Sequence, residues 1–276
     1  MMDAGTGGWS RPWRLVVVVV PSALALVAAA AAPARLPVLG VLVVGLVVAR
    51  RSDLVAVRLA WAAPIPVAVV LALTAIPEPE IVRTLAACAD PASPRAMHRV
   101  LVAVAVLVVA AVVARVARAP VASLRLRRPS RAVGILSIAS LAVAAPLAIV
   151  VGPLLAEPFF GPVAFRLASP LALLPAFVFA IANSVEEEVA YRGAWLGWGE
   201  GALGPALAIG VQALGFGLAH AGADYVGPQL PVVAAMAAGG AVAAIIARRT
   251  SSLALPIAIH AAADIPMFLY AACPPA

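Results

Sequence analysis

Apolar runs of about the length that crosses a bilayer recur along the whole chain, and this feature decides what it can fold into. A transmembrane helix needs about 20 apolar residues, with a range of about 17–25. Reading between arginines and other polar punctuation gives nine candidate spans, at 15–33, 36–49, 59–76, 100–114, 132–156, 167–198, 205–221, 229–247 and 253–272. The second and fourth are short, and the sixth is long and carries charges. Of the 276 residues, 64% are hydrophobic and 11% charged, where soluble domains run at roughly 45–50% and about 25%. So few charges cannot cover a water-facing surface of this size, and disorder requires low hydrophobicity. The expected fold class is all-α, a polytopic transmembrane helical bundle of eight or nine spans.

The net charge of +7 comes from 19 arginines, with no lysine, against 12 carboxylates. The arginines flank the apolar runs instead of lining a stripe, so they report topology and not nucleic-acid binding. With the N-terminus inside, only Arg35, Arg83, Arg95, Arg99 and Arg166 fall outside, a split of 14 to 5. Discounting Arg192, which lies within a span, leaves 13 to 5. The positive-inside rule then gives nine spans with a cytoplasmic N-terminus and an outer C-terminus. The lack of lysine beside so much Ala, Val, Arg and Pro suggests a GC-rich bacterial genome, hence a bacterial inner membrane. The first span, ending in Ala30-Ala31-Ala32, also resembles a signal peptide, but its apolar run is long for one. Arg115 to Arg131 reads as an anchor for anionic headgroups. Trp195 and Trp198 read as an interfacial belt at the inner end of the sixth span. Cys88 and Cys273 are too few and too far apart for a disulfide framework or a Cys-type zinc site.

Ionisable side chains at membrane depth are costly and mark function or a partner. Asp3, Asp53, Glu78, Glu80, Asp90 and Glu157 stay in loops, but the last third of the chain breaks the pattern. It holds Glu186-Glu187-Glu188 with Arg192, then His220, then His260 with Asp264. Glu188 and Arg192 are four apart, share a helix face and are expected to pair. Glu187 lies about 100° round the helix and is left for other work. His260 and Asp264 share a face, as do Phe216 and His220. Glu187 is eight residues before Trp195, roughly 12 Å below that level. These groups are therefore expected to converge in the inner half of the membrane.

A carboxylate and a neutral imidazole can orient a water and take its proton, and a second imidazole can polarise a carbonyl. Glu187, His220 and His260 could equally bind a divalent metal such as zinc that lowers the pKa of water. Both routes lead to hydrolysis of an acyl bond. No Gly-x-Ser-x-Gly, His-Glu-x-x-His or Gly-x-Gly-Asp motif offers another nucleophile or base.

Glu187-Glu188-Val189-Ala190-Tyr191-Arg192 fits Glu-Glu-x-x-x-Arg, Phe216 to His220 fits Phe-x-x-x-His, and His260 to Asp264 fits His-x-x-x-Asn/Asp. In this order, on successive apolar segments, they resemble the CPBP intramembrane metalloproteases. That family includes type II CAAX prenyl endopeptidases, lysostaphin-resistance-like proteins and bacteriocin self-immunity (Abi) proteins. The resemblance implies that Glu187 activates water with His220, that Glu188 and Arg192 pair or seat the substrate, and that His260 and Asp264 form the oxyanion-stabilising pair. Prenyl-protease members more often carry Asn at the last position. Aspartate donates no hydrogen bond unless protonated, so Asp264 is expected to orient His260 or a metal. The family is described both as metal-dependent and as using a metal-free glutamate.

The expected organisation is N-terminal helices and an arginine-rich inner loop over 1–131, then a catalytic membrane domain over 132–276 with its motifs within 165–272. The expected activity is endopeptidase cleavage of membrane-anchored, CAAX-like peptides or proteins, with the lipid bilayer as surroundings and no nucleic-acid partner. The alternatives are a transporter or proton relay using the Glu/His cluster, which predicts an inverted repeat that is not visible here, and a non-catalytic immunity-like scaffold. Outside the motifs, Glu186 is read as a solvated or cavity-lining charge, His98 and Asp224 as loop residues, and Phe216 as packing.

Overall fold

The computed structural model describes residues 11–75, 94–160, 173–221 and 228–272. Among them every regular element is helical. The order is α1 (Arg11–Ala30), a 3-10 turn (Ala32–Ala34), α2 (Arg35–Ala49), α3 (Val55–Ala62), α4 (Ile65–Thr74) and α5 (Pro94–Ala117). A second 3-10 turn (Val121–Leu124) leads to α6 (Arg131–Phe160), then α7 (Leu173–Glu187), a π-helical segment (Glu188–Trp195) and α8 (Leu196–Leu203). The chain closes with α9 (Pro205–Ala219), α10 (Gln229–Thr250) and α11 (Ala254–Ala272). Each apolar run of the sequence meets a helix or a helix pair. Among the described residues, five stretches are long and apolar enough to cross a bilayer: Ala32–Ala49, Val55–Thr74, Ala96–Ala117, Arg131–Gly152 and Gln229–Thr250. Val16–Ala30, Pro205–Ala219 and Ala254–Pro266 are shorter apolar helices. The protein is an integral membrane helical bundle.

Its packing is that of a protein dissolved in lipid. Large aliphatic side chains point outward, among them Val44 and Val48 on α2, Leu101 and Val108 on α5, and Ile138, Val143 and Val150 on α6. Small residues face inward, such as Ala25, Ala28, Ala110, Ala114, Ala176, Ala180, Ala261 and Ala262. Acyl chains are as apolar as leucine, so close backbone approach and internal hydrogen bonds hold such bundles together. Gly217 shows that approach: a Cβ there would run into the backbone carbonyl of Val233, across the α9–α10 contact.

The sixth apolar run is one long composite helix, α7 through the π segment to α8. It ends at Gly204, whose φ of +81° suits glycine, with Pro205 starting α9. Trp195 and Trp198 on this helix are fully buried and do not form the interfacial belt expected of them. Gly215 opens the space that the Trp195 ring occupies. A buried indole N–H needs an acceptor: Trp195 donates to Ser22 Oγ on α1 at 3.3 Å, and Trp198 donates to the Pro120 carbonyl at 3.4 Å. The contact with Ser22, and the burial of Ala25 and Ala28, build α1 into the core.

Loops that follow alternate spans gather on one face, as the arginine count requires. Arg58 Nε donates to the Ala117 carbonyl at 3.2 Å, and Leu253 N to the Arg125 carbonyl at 3.2 Å. Glu200 is clamped by Arg125 at 3.0 Å and Arg248 at 2.6 Å. At the other end, Arg35 donates to the Leu71 carbonyl at 3.3 Å. Arg125 therefore departs from its expected role as a headgroup anchor. It is buried, and its second nitrogen donates to the Arg192 carbonyl at 2.8 Å. In the π segment the amide of Leu196 reaches the carbonyls of Gly193 and Tyr191, the latter five residues back. Arg125 gives the Arg192 carbonyl a charged donor from outside the helix. Replacing Arg125 with leucine strips both Glu200 and this carbonyl of a charged donor and is expected to cost about 2–3 kcal/mol. The loss would be read as a lower Tm in detergent, with the exposed neighbour Arg127→Leu changing little.

Candidate active site

The charged groups of the sixth run converge with those of α11 in the bundle interior. α7 and α11 pack side by side. Three of the carboxylates, Glu186, Glu187 and Glu188, sit where α7 passes into the π segment, and the fourth, Asp264, is on α11. In a low-dielectric interior an unpaired charge is prohibitive, and each carboxylate has its own polar neighbours.

Glu188 is essentially inaccessible. Its Oε1 lies 3.0 Å from Arg192 Nη1 and 3.0 Å from His260 Nδ1, with Glu188 and Arg192 both essentially inaccessible. The expected Glu188–Arg192 pair is present, one turn apart. The Arg192 guanidinium also lies over the Phe216 ring, 4.2 Å from its centroid, a cation–π contact. A carboxylate can only accept, so His260 carries its proton on Nδ1 in the contact with Glu188. Its Nε2 then faces Glu187 Oε2 at 3.6 Å and Asp264 Oδ2 at 3.7 Å. Glu187 Oε2 is buried and accepts no hydrogen bond.

Asp264 faces α7 as well as His260. Its Oδ2 accepts from Asn183 Nδ2 at 2.9 Å and from Ser184 Oγ at 3.4 Å. Asn183 and Ser184 precede Glu187 and Glu188 by one helical turn each. The site is thus layered, Glu187 and Glu188 against His260 in one layer and Asn183 and Ser184 against Asp264 in the next.

His220 is the C-cap of α9. Its Nδ1 lies 2.7 Å from the Phe216 carbonyl and donates to it, which leaves Nε2 as the basic nitrogen. It meets the cluster through Phe216, whose ring centroid is 4.7 Å from that of His220 and 6.1 Å from that of His260. Phe216 packs, as expected, and is also the spacer that sets the two imidazoles apart. Among the described residues no group of three His, Cys, Asp or Glu side chains is arranged to hold a metal ion. Each imidazole engages its Nδ1 and leaves Nε2, and the Phe216 ring stands between His220 and His260.

The structure also brings in residues that the sequence reading passed over. Glu186 is wholly buried and paired with Arg99 at 2.6 Å, so it is not a solvated charge. Arg99 and His98 lie on α5, which begins at Pro94 instead of residue 100. The Arg99 guanidinium also stands 5.5 Å from the Phe179 ring centroid. Asn183 and Ser184 were detectable as polar residues four before Glu187 and Glu188 on an apolar helix. Arg99, 87 residues before Glu186, carries no such local signal. Asp224, Cys88 and Cys273 lie outside the described residues.

Comparison with known proteins agrees with the motifs. A family model described as type II CAAX prenyl endopeptidase Rce1-like matches residues 169–266, which span Asn183 through Asp264. No curated protein and no solved structure matches the chain.

Removing one partner of a buried ion pair is far more costly than removing both. Arg99→Leu is expected to destabilise the protein by about 3 kcal/mol, and the double variant Arg99→Leu/Glu186→Leu is expected to recover most of that loss. A double-mutant cycle of Tm in detergent measures the coupling, and independent, additive losses would contradict the pairing.

Proposed function

We propose that the chain, whose residues 169–266 match the type II CAAX prenyl endopeptidase Rce1-like family model, hydrolyses peptide bonds of membrane-anchored substrates by Glu187-activated water. The observation that carries this reading is the buried, unpartnered Glu187 Oε2, 3.6 Å from His260 Nε2. That separation is beyond a direct hydrogen bond, and one water bonded to both atoms completes a triangle with them. Glu187 takes a proton from this water as its oxygen adds to the scissile carbonyl carbon. The same proton passes to the amide nitrogen as the C–N bond breaks, giving a carboxylic acid and an amine.

The other groups hold this arrangement. Glu188 fixes the tautomer and direction of His260 through Nδ1, and Arg192 balances the charge of Glu188. His220, with its free Nε2 one phenylalanine ring away, serves as the second proton acceptor. Each step above uses only side chains of this chain. The substrate is a peptide whose anchor lies in the surrounding lipid, and a CAAX-like C-terminal segment fits that description. We place the arginine-rich face, with the loops joined by Arg58, Arg125 and Arg248, on the cytoplasmic side of a bacterial inner membrane. The support is the positive-inside rule. Residues 132–276 are then the catalytic part, with the earlier helices as its packing partners.

The test is cleavage of a quenched, membrane-anchored peptide library by detergent-purified protein. Glu187→Gln and His260→Ala are each expected to lower kcat by about 10²–10⁴-fold, with Tm retained, and His220→Ala by a smaller factor. A metal chelator is expected to leave the rate unchanged. Undiminished cleavage by Glu187→Gln overturns the assignment.

A further inference from the structure

Hydrolysis by water at Glu187 builds negative charge on the substrate carbonyl oxygen, and that oxygen needs a hydrogen-bond donor already in place. Asp264, at the position where the motif admits Asn or Asp, is an acceptor when ionised. Resting on the reading above, we propose that Asn183 supplies the oxyanion-stabilising hydrogen bond, moving that function from α11 to α7.

Elimination among the described side chains that touch His260 or Asp264 supports this. Glu187 and Glu188 only accept. Ser184 has a single hydrogen, directed at Asp264. The Nδ1–H of His260 is spent on Glu188, and its Nε2 is turned towards the carboxylates of Glu187 and Asp264. Phe216 has no polar hydrogen. The two guanidiniums nearby are paired, Arg192 with Glu188 and Arg99 with Glu186, and Arg192, although its Nε and Nη1 make no hydrogen bond, is only 1% exposed. Among the described side chains hydrogen-bonded to His260 or Asp264, Asn183 alone has a hydrogen to spare. Its Nδ2 bears two, and one is given to Asp264 Oδ2 at 2.9 Å.

Asp264 gains a role from the same contact. A carboxylate accepts, so the nitrogen of the Asn183 amide must face it, and this fixes which end of the amide points into the cluster. Binding one hydrogen also orients the amide plane and so the direction of the second. Asn183 is 8% exposed and precedes Glu187 by four residues on one face of α7. The donor therefore sits about one turn, or about 6 Å along the axis, from the carboxylate that activates the water. That separation suits the two ends of a reacting carbonyl and its attacking water.

The experiment uses the full-length protein in detergent, a cleavable membrane-anchored peptide, the same peptide with an N-methylated scissile amide, and a peptidyl phosphinate that mimics the tetrahedral intermediate. Asn183→Ser is the informative variant, since its one hydroxyl hydrogen can keep the bond to Asp264 but leaves no second donor. The expected result for Asn183→Ser and Asn183→Ala is a kcat lower by about 10²–10³-fold, with KM within about threefold. Phosphinate affinity falls by a similar factor as kcat, while affinity for the N-methylated peptide and Tm hold. A kcat for Asn183→Ser within about threefold of wild type overturns the inference. So does a parallel loss of N-methylated peptide affinity and Tm, which marks a structural role. Glu187→Gln runs alongside: if it cleaves like wild type, or wild type cleaves nothing, the hydrolytic reading itself fails and this inference with it. If Glu187→Gln is dead and Asn183→Ser is active, only the inference fails.

Discussion

The buried ion pair between Glu188 and Arg192 is the constraint on which the rest of the site depends. Neither group can stay charged in this interior without the other, since an isolated ion there costs several kcal/mol or more. Pairing them in the π segment also commits their remaining surfaces. Arg192 lays its guanidinium on Phe216 of α9, and its carbonyl takes a hydrogen bond from Arg125 in the loop before α6. Glu188 turns the same oxygen that meets Arg192 towards His260 of α11. One ion pair thus ties together the composite helix, α9, α11 and the arginine-rich face.

The π segment is part of this arrangement. Such segments are frequent at functional sites. Arg125 donates to the Arg192 carbonyl and at the same time binds Glu200, so the site and the loops of one membrane face are mechanically linked. Within the bundle, polar side chains at four-residue spacing on α7 face those at four-residue spacing on α11. This converts two sequence periodicities into two stacked polar layers, and the water-activating carboxylate lies in one while the asparagine amide lies in the other.

The spans were legible because lipid imposes its requirement on the sequence directly: each crossing helix must carry a long apolar run, and each run here became a helix or helix pair. The Glu188–Arg192 pair and the shared face of His260 and Asp264 were legible for a similar reason, since i,i+4 neighbours meet in any helix. The tryptophans of the sixth run misled, because an interfacial indole and a buried one look alike in sequence. Only the space opened by Gly215, with Ser22 and Pro120 as acceptors, distinguishes them. Arg125 misled likewise, one buried arginine in a loop whose Arg118, Arg127 and Arg128 are exposed.

By itself the sequence determined that the chain lives in a membrane as a helical bundle, and that Glu187, Glu188, Arg192, His220, His260 and Asp264 are its chemically expensive residues. Composition and local periodicity suffice for that, because hydrophobic burial and helical spacing act over a few turns. Tertiary structure alone decided that Arg99 reaches Glu186 across 87 residues, that Asn183 and Ser184 hold Asp264, and that Phe216 stands between the two histidines. Those contacts join helices far apart in sequence, and the pairing of buried charges and hydrogen-bond donors is settled only when the helices pack.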